Sequence, residues 1–266
     1  MSSLALHLPP RGLVRAEILK LRGRRGLVAT VAALTVGAAV VTYGVLAILH
    51  AANPAHHGPA GGVTNLGHGL FVLATLGAVA ATLVGASAGA GDLAAGVFRE
   101  LVVTGRPRLS LYRAKIRGGL LFLLAFVAAG YAIAAVASVA FAGSLPAPST
   151  SLLVSAGLWL LLSCAFYFAL ALGVSSLLGS RSTTIGIMLA FRLALTPILL
   201  AITPLGVGRE VVPAAGLERL APHALEGFTR QAARIPMAHT TAILVLLAWT
   251  AVALVVGGWR TATRDA

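Results

Sequence analysis

Polar residues in this chain are confined to gaps between six long apolar stretches: 27–49, 69–88, 118–142, 152–178, 183–203 and 240–258. Each reaches the roughly 20 apolar residues that an α-helix needs to cross the hydrocarbon of a bilayer. None contains Asp, Glu or Lys, and only 183–203 contains an Arg, Arg192. A surface helix of a water-soluble domain would show polar residues every three or four positions, because one face meets water. The pattern therefore predicts an all-α, multi-pass membrane protein with six transmembrane helices, forming one domain over residues 1–266.

Charge in the gaps alternates. Arg11, Arg15, Lys20, Arg22, Arg24 and Arg25 precede the first stretch, whereas 50–68 has no Lys or Arg. Arg99, Arg106, Arg108, Arg113, Lys115 and Arg117 lie between the second and third stretches, and 143–151 again has none. Arg181 falls in the short fourth gap, and Arg260 and Arg264 follow the last stretch. Lys and Arg accumulate in cytoplasmic loops, so both termini are expected in the cytoplasm. The fifth gap, with Arg209, Arg219, Arg230 and Arg234, departs from the rule, which long loops obey weakly. The run after Arg25 is too long for the core of a signal peptide and reads as an uncleaved first span.

Composition sharpens this only a little. With 58% hydrophobic and 10% charged residues the chain lies far from disordered sequences. A net charge of +13 would suggest a nucleic-acid partner in a soluble chain. Here the cations flank membrane spans, so membrane lipids are the expected partner and nucleic acid is not. The lone cysteine, Cys164, lies in mid-span, which excludes a disulfide framework.

Two segments outside the spans carry pattern of their own. In 11–25, Val14, Ile18 and Leu21 recur at helical spacing, with Arg11, Arg15 and Arg22 on another face and Glu17 three residues before Lys20. That predicts an amphipathic helix lying in the membrane interface. In 92–104, Asp92 is placed to cap a short helix, Phe98, Leu101 and Val102 gather on one side, and Gly105 and Pro107 end it. Such a helix needs a partner surface for its apolar side.

This loop resembles that of ABC-2 type transporter permeases, the membrane subunits of bacterial ATP-driven exporters. Asp92, Gly96, Phe98, Arg99, Gly105, Arg108 and Lys115 stand at the family's spacing, as does the Glu17–Lys20 step on the first helix. Leu220-Ala221-Pro222 is similar to an apolar-Pro step in the family's last outer loop. Val97 replaces the usual Thr or Ser, and Pro107 replaces a common Ser.

The resemblance implies an inner-membrane permease that works as a homo- or heterodimer with a separate ATPase subunit. ATP and Mg are then expected on that partner, and no cofactor and no catalysis on this chain, which has no Gly-x-x-x-x-Gly-Lys-Ser/Thr phosphate loop. It also implies that 92–104 is a coupling helix, with Phe98 and Leu101 seated in the ATPase cleft and Arg99 paired to an acid there. The expected cargo is a drug, antibiotic or other amphipathic compound. The alternative is a non-transporting assembly or sensory module. A secondary transporter would need intramembrane carboxylates or broken helices, and the apolar stretches hold no acid.

Arg192 is the costliest residue to bury, at about 2.5–3.5 kcal/mol for a central Arg. It is a candidate lining of the translocation path, with Tyr167, Ser163 and a carbonyl freed by Pro197 as possible partners; the other reading is a structural helix contact. Gly85-Ala86-Ser87-Ala88-Gly89 matches a nucleophile elbow by letter, but small residues at this spacing serve close helix contact. His50, His56, His57 and His68 read as solvated loop histidines rather than metal ligands. Residues 204–238 are expected to form short amphipathic helices broken at Pro213, Pro222 and Pro236.

Overall fold

The computed structural model describes residues 10–96, 107–222 and 235–264, and all regular structure among these residues is helical. In chain order the helices are α1 (Pro10–Gly23), α2 (Arg25–Ala52), α3 (Gly62–Ala94), α4 (Arg108–Ala140), α5 (Thr150–Leu178), α6 (Arg181–Ala201), α7 (Pro213–Arg219) and α8 (His239–Thr263). A 3-10 segment, Thr203–Val211, precedes α7. The six helices α2–α6 and α8 are long and apolar enough to cross a membrane. The chain is a multi-pass membrane protein.

The spans outrun the apolar stretches. α3 and α4 have 33 residues each, about 50 Å at the helical rise, against a hydrocarbon core of about 30 Å. The excess of α4 lies at its start, 108–117, whereas α3 runs past its apolar stretch at both ends, 62–68 and 89–94. This corrects one expectation: Asp92 does not cap a following helix but lies in the last turn of α3. The stop is Gly96, whose φ of +70° only glycine adopts cheaply, with its N–H bonded to the Leu93 carbonyl at 3.1 Å. Of the expected coupling helix, Phe98, Arg99, Leu101 and Gly105 lie outside the described residues. In the outer segment the expected break at Pro213 is present, between the 3-10 segment ending at Val211 and α7, which Pro213 starts; 223–234 lies outside the described residues.

The centre of the bundle is the α3–α5 contact, its most extensive. A Cβ on Gly85 would stand 2.6 Å from the Phe168 carbonyl oxygen, and one on Gly89 2.8 Å from that of Leu172. The small residues predicted to allow close contact therefore do so, and Ser87 is fully buried between them. Without hydrophobic drive between helices in lipid, such close backbone approach is what supplies van der Waals attraction. Leu73, Leu160 and Phe168 belong to the same buried core. α8 packs on α5, with Gly173 and Gly257 at the crossing, and α2 and α4 pack beside α3. Large apolar side chains such as Val41, Leu162 and Val255 point outward, as suits a lipid-facing surface.

Among the described residues, two spans contain π-turns, Ala33–Gly37 in α2 and Phe191–Leu195 in α6. The second has a local cause. Pro197 has no N–H to return to the preceding turn, and the Thr196 N–H reaches back to the Phe191 carbonyl instead.

Candidate functional site

The end of the bundle where α1 lies holds a buried chain of charges. α1 packs along the first turns of α4, where Gly118 leaves room: a Cβ there would fall 2.8 Å from Glu17 Cβ. That close approach aims the polar edge of α1 at the end of α3. Lys20 Nζ lies 2.6 Å from Glu17 Oε2 and 2.7 Å from Asp92 Oδ1. Lys115 Nζ lies 2.8 Å from Asp92 Oδ2. Asp92 and Lys115 are almost fully enclosed, at 3% and 5% exposure.

The arrangement has a physical logic. The C-terminal end of a helix carries partial negative charge, so a buried carboxylate there is doubly disfavoured. Two ammonium groups, one from α1 and one from α4, divide its oxygens between them. Arg24, at the break between α1 and α2, lies against Gly91, where a Cβ would stand 2.8 Å from Nη2. Three helices are thus bound at one point, on either side of the segment 97–106. The group of Glu17, Lys20, Asp92 and Lys115 is neutral overall, with Glu17, Asp92 and Lys115 buried and Lys20 partly exposed at its edge.

A second clasp lies beside it. Arg108, the first residue of α4, donates to the carbonyls of Ala262 and Arg264 at the end of α8, at 3.0 Å for Ala262. Arg264 in turn donates to the Leu177 carbonyl at the end of α5, at 3.5 Å. Each guanidinium satisfies carbonyls that a helix end leaves unpaired.

Of the residues singled out in sequence, Glu17, Lys20, Asp92 and Lys115 are brought together, Arg108 sits on the neighbouring clasp, and Gly96 forms the exposed turn leaving α3. Gly118, Arg24 and Arg264 were not singled out. Gly118 offered only a small residue at the border of an apolar stretch, and the two arginines only position.

Arg192 lies far from this cluster, in a cavity of about 410 Å³ toward the opposite end. Its guanidinium lies 4.6 Å from the centre of the Tyr167 ring, and Nη2 donates to the Ala74 carbonyl on α3 at 3.3 Å. Tyr167 is the partner expected from sequence. Ser163 was expected as well, but its hydroxyl donates to the Trp159 carbonyl at 2.7 Å although it lines the same cavity. The carbonyl comes from α3, not from the turn before Pro197.

Glu218, on α7, lines the cavity as well. The apolar stretches hold no acid, but α7 folds one back over them. Trp159 fixes α7 there by donating from its indole N–H to the Leu217 carbonyl at 2.9 Å. Cation, carboxylate and aromatic faces around an otherwise apolar space could orient an amphipathic molecule. The loop histidines bond locally, His50 Nδ1 to the His57 carbonyl oxygen at 2.7 Å and His56 Nδ1 to Asn53 Oδ1 at 3.2 Å.

No protein-family model matches the chain, and no curated protein matches it.

Proposed function

We propose that this chain is the membrane permease subunit of an ABC-2 type exporter in the bacterial cytoplasmic membrane, paired with a second permease chain and driven by a separate ATPase. The observation that carries the reading is the Glu17–Lys20–Asp92–Lys115 chain. It ties the helix before the first span to the end of the second and the start of the third, so force applied to 97–106 reaches three helices at once. In this reading Phe98, Arg99 and Leu101 contact the ATPase, Gly96 and Gly105 turn the chain, and Asp92, Lys115 and Arg108 are positioning residues that hold the feet of the loop. The cavity at Arg192 is the cargo-facing part of the path, for a drug, antibiotic or other amphipathic compound with a polar or anionic group.

The test is purification of the native complex and identification of any ATPase subunit that comes with it, followed by ATP hydrolysis in liposomes against a cargo panel. Phe98→Asp is expected to abolish co-purification while the chain still folds and inserts. Arg192→Gln is expected to keep the ATPase bound and to remove most of the stimulation by cargo. An unchanged complex with Phe98→Asp, or no ATPase in the wild-type complex, would instead favour a non-transporting membrane module.

A further inference from the structure

The cations that the charge chain leaves unused define another site. A groove of about 730 Å³ runs between α1 and α4. Arg15, Leu19 and Arg22, at i, i+4 and i+7, form one wall; Arg117, Leu120 and Leu121, at i, i+3 and i+4, form the other. Among the described residues none of the three guanidinium groups has a hydrogen-bond or ion-pair partner, whereas Lys20 and Lys115 beside them are both committed to Asp92. The one acid on α1, Glu17, faces Lys20 and lines no part of the groove.

The groove also sits at a defined depth. α4 passes from Arg113, Lys115 and Arg117 into an uninterrupted apolar run at residue 118, so Arg117 marks the headgroup level and Leu120 and Leu121 the start of the hydrocarbon. Leu19 and Leu121 are 55% and 58% exposed, an apolar surface that water would disfavour and acyl chains would cover.

We infer that this groove binds a glycerophospholipid with a net negative headgroup. Its phosphate lies between the arginine forks, which match phosphate oxygens in pairs, and its acyl chains run along Leu19, Leu120 and Leu121. Charge complementarity selects the headgroup, and the apolar walls below it select a lipid over a soluble phosphate. The site does not depend on whether an ATPase docks nearby.

Native mass spectrometry of the full chain, exchanged into equal amounts of phosphatidylglycerol and phosphatidylcholine, tests this directly. The wild type is expected to retain phosphatidylglycerol about tenfold over phosphatidylcholine, as attraction of a few basic residues to an anionic headgroup allows. R15Q/R22Q/R117Q should lose that preference, while R25Q/R181Q, which removes two exposed cations elsewhere, should keep it. L19S/L121S should lower retention of both lipids together. If the triple variant fails to fold, Arg22→Gln alone should cut the preference about threefold. Equal retention of the two lipids by the wild type, an unchanged preference in R15Q/R22Q/R117Q, or displacement by sn-glycerol 3-phosphate at the lipid's own concentration would each overturn the assignment.

Discussion

Asp92 illustrates how a residue's letter and its neighbours suggest one local role while the fold gives it another position. Its letter and its place before Gly96 suggested a cap for the next helix, because Asp at a helix start accepts free amide hydrogens. In the fold it ends α3 and exchanges those amides for two ammonium groups. Removing its charge would leave Lys115 enclosed without a counter-ion, and breaking a buried pair costs about 3–5 kcal/mol. Asp92→Asn is therefore expected to lower thermal stability markedly in detergent. Asp92→Asn combined with Lys115→Met should recover much of the loss, since an apolar replacement of both partners is often neutral. A double mutant no more stable than the single would show that the Asp92–Lys115 pair is not the source of the effect.

The elements themselves were largely legible. Five of the six spans begin or end within a few residues of the expected limits, because hydrocarbon thickness sets a minimum length that apolar runs must meet. The exceptions are both ends of α3 and the start of α4; at the charged ends helical backbone continues beyond the apolar run because partners from α1 and α8 satisfy its polar groups. The interface between α3 and α5 carries its own prediction. A methyl group at Gly85 would meet backbone at 2.6 Å, which no side-chain rotation relieves. Gly85→Ala should destabilise by about 1–3 kcal/mol, the usual cost of overpacking, read as a lower midpoint of thermal unfolding. Gly186, on α6, has nothing near its Cβ position, and Gly186→Ala should leave the midpoint unchanged or raise it slightly.

For the whole molecule, the described ends of the chain fall at the same end of the bundle, since Lys20 meets Asp92 and Arg264 meets Leu177. Apart from Arg192, Arg209 and Arg219, the described Lys and Arg residues lie in α1 or near the helix ends found there. Taking positive charge as cytoplasmic, an impermeant maleimide should label His57→Cys in intact cells and Ser182→Cys only after permeabilisation. The background is silent because Cys164 is fully buried beside Gly77. Labelling of both positions from outside would reject the expected orientation.

Helical class, the number of spans, the sidedness of charge and the pairing of Glu17 with Lys20 were determined by the sequence alone. All of them depend on local periodicity or on the length of an apolar run, and both can be counted along a chain. The convergence of Glu17, Lys20, Asp92 and Lys115, the carbonyl chosen by Arg192, and the return of Glu218 over the spans were decided only by tertiary structure. Each joins residues from different helices, and which faces meet is set by where glycines let backbones approach, as at Gly118 against Glu17 and Gly85 against Phe168.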